Sequence, residues 1–273
     1  MQKYSVLMSV YKNDNPDFLI AAIESMLKQT VPCEQFVIVE DGPLPENMHN
    51  VINGYVKNTA LFTQVLLPEN MGLGKALDKG LEHCRNDLVA RMDADDISLP
   101  NRCEKLLALF EQKPKLGLAG TNIDEFYDDP QNIVTSRRVP CDYESIRKFM
   151  RRRSPFNHPT VMFKKSEVER CGGYGKMKRK QDFDLFARML NMDCYALNID
   201  ESLLLFRSNK DNYKRRRSWE YCKSYLDVAW MNYKRSYCSI LDLAYVFAGQ
   251  LTLHFAPMSV MKFLSDKLLR KGK

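Results

Sequence analysis

The sequence has no CxxC pair and only four histidines, which leaves little from which to build a zinc site, since zinc binding draws on closely spaced Cys and His. Its eight cysteines, Cys33, Cys84, Cys103, Cys141, Cys171, Cys194, Cys222 and Cys238, are scattered along the chain. Reduced, mostly buried thiols are therefore expected in place of a disulfide framework. The N-terminal apolar stretch Tyr4–Val10 is too short for a signal-peptide core and no small-residue cleavage site follows it. A later apolar stretch, 240–255, is broken by Asp242, Gln250 and His254 and followed by Pro257, which makes it too short and too polar for a membrane-spanning helix. Internal repeats and low-complexity segments are absent as well. These absences point to a cytoplasmic globular protein.

What is present fits that class. The 273 residues are 45% hydrophobic and 27% charged, enough to bury one substantial core. A formal charge of +7 favours an anionic partner: nucleic acid, phospholipid or a phosphate-bearing substrate.

Apolar runs and breaker residues alternate in the order of a parallel α/β sheet. Tyr4–Val10 reads as a buried strand, Asn15-Pro16 as a helix cap with proline at the first helical position, and Gln35–Glu40 as a second strand ending at the turn Asp41-Gly42-Pro43. Further strands are expected at 63–67, 88–92, 116–119 and 195–199, with helices at 74–84, 100–112 and 182–190. Strand, helix, strand in this order implies right-handed crossovers. Ligands in such sheets bind beyond the carboxyl ends of the strands, which would gather Tyr11, Asp41 and Asp93 at one edge.

The strongest chemical signal is Ala90-Arg91-Met92-Asp93-Ala94-Asp95-Asp96, with three carboxylates in four residues directly after an apolar strand. Hard divalent cations such as Mg²⁺ or Mn²⁺ take oxygen ligands, and a metal held by one or two carboxylates can accept diphosphate oxygens at its other positions. A solvated acidic turn is the alternative, and the position at a strand end weighs against it. Asn70-Met71-Gly72-Leu73-Gly74-Lys75 has the look of a phosphate loop but lacks the Walker residues: Glu69 and Ala76 stand where glycine and Ser/Thr would be required. Lys75 is either a phosphate contact or an exposed lysine at a helix start.

With these motifs in view, the first 110 residues resemble the nucleotide-binding half of family-2 inverting glycosyltransferases of the GT-A fold. Ser9-Val10-Tyr11-Lys12-Asn13, Val39-Glu40-Asp41-Gly42 and Asp93-Ala94-Asp95-Asp96 are similar to its successive motifs; Asn157-His158-Pro159-Thr160-Val161-Met162 and Gln181-Asp182-Phe183-Asp184-Leu185 extend the likeness to about position 207. Bacterial polysaccharide and O-antigen enzymes are the nearest within that family. The resemblance implies a Rossmann-like, mostly parallel sheet flanked by helices, with a nucleotide-sugar-binding half (1–110), an acceptor and catalytic-base half (111–212) and a helical tail (213–273). It also implies donor contacts from Ser9, Tyr11, Asp41, Lys75 and Asp93, a metal on Asp95, and Asp182 as catalytic base. Chemistry agrees in part, since a carboxylate can accept the imide N–H of uracil and a tyrosine ring offers a stacking face. Gln181 departs from the family's Glu-Asp pair, which puts any role for a second charge there in doubt. Asp184 is the rival base, and an ordinary carboxylate at a helix N-terminus would account for either residue. His158 and Tyr174 fall in the acceptor region, although His158 also reads as a structural histidine.

From 147 to 180 there are twelve Lys or Arg residues against Glu167 and Glu169. That run is a solvated face or a site for an anionic acceptor; nucleic acid is disfavoured because aromatic residues are not interleaved as stacking platforms. The tail, opening at Lys214-Arg215-Arg216-Arg217 and ending with Lys262, Lys267, Arg270, Lys271 and Lys273, suggests an amphipathic anchor on an anionic membrane surface at the inner face of the cell membrane. Self-association into a homo-oligomer is the competing use of the same surface. The reading is a UDP-sugar-dependent, Mn²⁺- or Mg²⁺-dependent transfer to a glycan or lipid-diphosphate-linked acceptor. A nucleotidyltransferase and a non-catalytic nucleotide-sugar-binding protein are its competitors.

Overall fold

The computed structural model describes residues 2–57, 59–177, 179–208 and 218–255. The first part alternates strictly: β1 (Tyr4–Val10), α1 (Pro16–Leu27), β2 (Gln35–Glu40), α2 (Glu46–Val56), β3 (Phe62–Leu66), α3 (Leu73–His83) and β4 (Leu88–Met92). Asn15 caps α1, its Oδ1 accepting the N–H of Asp17 at 2.8 Å and of Phe18 at 3.3 Å, with Pro16 supplying the preset φ. The strands pair in parallel in the order β3-β2-β1-β4. Helix α2, which the sequence pattern does not reveal, completes the crossover between β2 and β3; it buries only Met48 and Ile52 and has no side-chain cap.

The sheet continues through β5 (Ile97–Ser98), α4 (Arg102–Gln112), β6 (Leu116–Phe126), β7 (Ile133–Arg137), α5 (Tyr143–Met150), a 3₁₀ turn (His158–Thr160), β8 (Met162–Lys164), α6 (Lys165–Arg170), α7 (Gln181–Asn191) and β9 (Tyr195–Arg207). β8 lies antiparallel between β4 and β6 and so joins the two halves into one nine-stranded sheet, β3-β2-β1-β4-β8-β6-β9-β5, with β7 beside β6. β6 and β9 run well past their expected ends and pair in parallel over most of their length.

Alternation along the central strands splits the apolar residues between two layers. Val6, Met8 and Ile38 pack with α1 and α4 on one face, whereas Leu7, Val37 and Val39 pack with α3 and α7 on the other. The result is the Rossmann-like sheet flanked by helices that the sequence implies. All eight cysteines are unpaired, and six of them are buried.

Two helices follow, α8 (Trp219–Lys234) and α9 (Ile240–Phe255), form a hairpin whose own small core is built from Cys222, Leu226, Ala229, Leu243 and Val246. α8 also docks on the main body, with Val228 in the core layer around α7 and Tyr225 against Phe183 at 5.6 Å. The basic cluster 214–217 and the lysine-rich end beyond 255 lie outside the described residues.

Candidate active site

Register alone assembles the edge that the sequence marks. Val10 is level with Glu40 across β1 and β2, and Met8 is level with Met92 across β1 and β4. Continuing one residue beyond β4 therefore brings Asp93 alongside Ser9, while Tyr11 and Asp41 leave adjacent strand ends. Tyr11 is 41% exposed, as a stacking platform would be. Its backbone is tied in a tight turn, the Tyr11 N–H donating to Asp14 Oδ2 at 2.9 Å and the Asp14 N–H to the Tyr11 carbonyl at 3.0 Å.

Asp41 is buried and already engaged: its carboxylate accepts the N–H of Met71 at 2.6 Å and of Gly72 at 3.0 Å. Gly42, at φ +86°, permits this approach, since a Cβ there would lie 2.6 Å from the nitrogen of Asn70. The 70–72 loop thus gives two of its amides to a protein carboxylate and is not a free phosphate cradle. Each Asp41 oxygen keeps a second lone pair for a ligand N–H. Lys75 is exposed in the first turn of α3.

The acidic turn follows β4 directly. Ligand oxygens of Asp93, Asp95 and Asp96 all lie within 4.8 Å of one another. β5 and β9 clamp this turn, with Ile97 paired to Leu205 and the Arg207 N–H donating to Asp96 Oδ1 at 2.8 Å. The other Asp96 oxygen, Oδ2, is buried without a partner among the described residues. Asp95 reaches solvent, yet the protein packed around it and the Asp93 carboxylate push its pKa up to about 6. Burial and the same two neighbours hold Asp96 well above the usual carboxylate range. Asp14 joins the group, raised to about 7 by burial and by the charges of Asp95 and Asp93. Crowded carboxylates whose ionised forms are disfavoured, plus an orphaned buried oxygen, suit a hard divalent cation.

Two cations border the cluster that sequence inspection does not single out. Arg91 is fully buried and donates through Nη2 to Asp93, while its Nε and Nη1 have no partner among the described residues. Arg207 closes the other side, its Nε donating to the Asp95 carbonyl at 3.0 Å and its guanidinium lying 3.8 Å over the ring of Phe18. The Arg207 contacts join segments far apart in sequence, and Arg91, two residues from Asp93, is set apart only by its burial, so no local pattern announces either role.

α7 carries the candidate base. Lys180 precedes it in the left-handed region at φ +59°, its Nζ donating to the Tyr221 hydroxyl at 2.7 Å and lying 4.0 Å from the centre of that ring. Gln181 is buried against Gly74, where a Cβ would come within 3.2 Å of it, so the N-termini of α3 and α7 meet. Asp182 is partly exposed and makes no hydrogen bond or ion pair among the described residues. Asp184 differs sharply: it is 2% exposed, and its oxygens bond Arg188 at 2.9 Å and Arg235 at 2.6 Å. Asp184 is therefore a structural hub between α7 and α8, and Asp182 is the carboxylate left available.

His158 and Tyr174 come together as the sequence reading groups them, but inside the protein. Tyr174 is fully buried, with its hydroxyl 2.9 Å from His158 Nε2 and its N–H donating to Asp78 Oδ1 at 2.8 Å. Gly172 and Gly173, at φ +80° and +69°, turn the chain just before it. Burial, reinforced by the Arg91 charge, keeps the His158 pKa well below its usual value, so the ring is neutral at physiological pH. Burial raises the Tyr174 phenol, and the carboxylates of Asp182, Asp78 and Asp93 raise it further.

The basic run divides among local partners. Lys165 pairs with Glu169, Arg170 with Glu167, Arg179 with Glu220 and Arg152 with Asp242. Much of that charge is spent on the fold, and Lys178 lies outside the described residues.

Comparison with known proteins agrees with this geometry. The profile of glycosyl transferase family 2 matches residues 5–173. A glycosyltransferase of Haemophilus influenzae without assigned substrate is 36% identical, over 98% of this chain and 100% of its own. The Escherichia coli UDP-Gal:alpha-D-GlcNAc-diphosphoundecaprenol beta-1,3-galactosyltransferase is 34% identical, over 98% of this chain and 97% of its own. Among solved structures, the Pyrobaculum calidifontis mannosyltransferase PcManGT, in complex with GDP-Man and Mn²⁺, superposes with a TM-score of 0.66 at 15% identity, covering 93% of this chain and 70% of that one. Residues 1–349 of Staphylococcus aureus TarS in complex with UDP give 0.62 at 16% identity, covering 98% and 76%. These two likenesses show a shared GT-A fold. With the profile covering most of the chain and relatives matched end to end, the chain belongs to glycosyl transferase family 2.

Proposed function

We propose that the protein transfers a hexose from a UDP-linked donor to a hydroxyl of a lipid-diphosphate-linked glycan, with inversion at the anomeric carbon, in the synthesis of a bacterial surface polysaccharide. The observation that carries this reading is a three-carboxylate turn at the sheet edge, its ligand oxygens within 4.8 Å of one another, together with a carboxylate at the N-terminus of α7, Asp182, that has no partner among the described residues. The E. coli relative named above supports the donor and acceptor class, since its name gives a UDP-sugar and a diphosphoundecaprenol-linked sugar.

Ser9, Tyr11 and Asp41 hold the nucleoside, with the Tyr11 ring on the base and the spare Asp41 lone pairs on the imide N–H. Asp93, oriented by Arg91, faces the ribose. Asp95, with Asp96 behind it, would hold Mn²⁺ or Mg²⁺, which when bound offsets charge on the departing diphosphate. Lys75 and Arg207 add positive charge on the two flanks of that diphosphate. Asp182 takes the proton from the acceptor hydroxyl as its oxygen attacks from the face opposite the leaving group. His158 is neutral and Tyr174 protonated, and this buried pair supports the acceptor side from behind by its mutual hydrogen bond without adding charge. The reaction then occurs at the inner face of the cell membrane, where such an acceptor resides.

A panel of nucleotide sugars tests the donor class. With Mn²⁺ present, UDP-hexoses raise the melting temperature and are slowly hydrolysed to UDP. Nucleoside triphosphates that react with release of pyrophosphate would identify a nucleotidyltransferase; stabilisation by UDP-sugars with neither hydrolysis nor transfer would identify a binding protein.

A further inference from the structure

The C-terminal hairpin holds a face that water does not suit. Along α9 the exposed side chains include Ile240, Leu241, Ala244, Tyr245, Leu251 and Phe255, with Leu241 75% and Tyr245 62% exposed. No exposed residue of the helix carries a charge. Its one acidic residue, Asp242, is turned inward and 5% exposed, bonded to Ser239 at the helix start and to Arg152 at 2.6 Å. Partner helix α8 provides an internal contrast: it exposes Glu220, Lys223, Asp227 and Lys234, as a solvated helix does. α9 thus adds an apolar outer face to the apolar inner one that packs on α8 through Leu243 and Val246, whereas a surface helix in water keeps its outer face polar.

We propose that the outer face of α9 is a docking surface for an anionic lipid bilayer. Among the described residues no helix is long and apolar enough to cross a membrane, so α9 would lie in the interface and not span it. Charge selects the occupant. Exposed Arg151 rims the face beside Arg152, which pairs with Asp242 and lies with its guanidinium 4.7 Å over the Tyr245 ring, and the sequence after the described part, 256–273, adds five Lys or Arg against Asp266. Two copies apposed through this face would bring like-charged rims together, whereas anionic headgroups complement them. Tyr245 and Trp219, the latter 5.5 Å from the His254 ring, are amphipathic side chains of the kind that settle at headgroup level. Because α8 links this face to α7 through the Arg235–Asp184 pair, a docked α9 holds the Asp182 helix at a fixed relation to the bilayer. The inference rests on the proposed lipid-linked acceptor for its purpose, but its test uses neither donor nor acceptor.

Full-length protein is sedimented with vesicles of phosphatidylcholine containing about one-third phosphatidylglycerol, alongside the double variants L241E/Y245E and L241S/Y245S; two exposed apolar side chains contribute enough for at least about a tenfold change in partitioning. Wild type should bind these vesicles, bind phosphatidylcholine alone more weakly, and show a blue shift of emission from its tryptophans, Trp219 and Trp230. Both variants should lose at least that factor while keeping the wild-type melting temperature, since the replaced side chains are exposed. Wild type that ignores anionic vesicles, or variants that bind them as well as wild type, would overturn the proposal. So would a wild-type dimer that both variants dissociate without change in vesicle binding, which would assign the face to a second copy. Vesicle binding lost in the variants, with no transfer to any lipid-linked acceptor, would uphold the docking face and reject the substrate reading.

Discussion

Replacing Asp182 by asparagine should lower turnover by about 10²–10⁴-fold, the usual contribution of a general base, while UDP affinity changes by less than about twofold. Asparagine preserves shape and hydrogen-bond acceptance but cannot take a proton at neutral pH. Asp182 makes no ion pair or hydrogen bond among the described residues, so the substitution removes proton transfer without dismantling structure. Asp184→Asn behaves oppositely. That carboxylate is buried between Arg188 and Arg235, and removing one partner of a buried pair costs about 3–5 kcal/mol. Its melting temperature should fall clearly, while protein folded below the transition keeps turnover near wild type. Steady-state kinetics and thermal melts on both variants separate the roles; an active Asp182→Asn beside an inactive but folded Asp184→Asn would reverse the assignment.

Excess chelator should abolish transfer, and Asp95→Asn should lower it on the order of 10³-fold at fixed Mn²⁺, because several kcal/mol of charge stabilisation on the diphosphate disappear. The pKa of about 6 for Asp95 adds a signature in pH. Metal must displace the proton, so Mn²⁺ affinity measured calorimetrically should weaken as pH falls below about 6, by up to about tenfold per unit. Without metal the linkage has the opposite sense. Between the ordinary carboxylate pKa and about 6 the folded state binds a proton that the unfolded chain does not, so this group makes the metal-free fold more stable as pH falls through that window. Equal activity with chelator and with Mn²⁺ would remove the metal from the account.

Much of the N-terminal half was legible because its strands are buried on both faces and so appear as unbroken apolar runs. Tyr4–Val10, Gln35–Glu40 and Leu88–Met92 stand at the positions their composition marks, and the residues after them meet at one edge because parallel strands share direction. The second half hid its strands in polar sequence. β6 continues from Ala119 through Thr121, Asn122 and Glu125, all buried within the sheet, where Thr160 and Asp200 meet two of them; β9 crosses Asp200-Glu201-Ser202 through register shifts. Periodicity cannot anticipate buried polar residues whose partners come from distant segments. The same limit applies in the site. Asp182 and Asp184 look alike as acids at a helix N-terminus, and burial of Asp184 between Arg188 and Arg235, the latter from beyond the next helix, distinguishes them. Arg91 lies inside the acidic motif, but its burial beneath Asp93 and beside His158 and Tyr174 depends on how β4 meets the 3₁₀ turn.

The anomeric configuration of the product tests the central claim most directly, because a single carboxylate base acting opposite the leaving group requires one displacement. Protein supplied with Mn²⁺, α-linked UDP-hexoses and a synthetic acetamido-sugar diphospholipid should release UDP and form one new linkage. Proton NMR of that product should show a β-linked hexose. An α-linked product would require a mechanism other than the one built on Asp182, and release of pyrophosphate from a nucleoside triphosphate in place of UDP from a sugar donor would contradict glycosyl transfer itself.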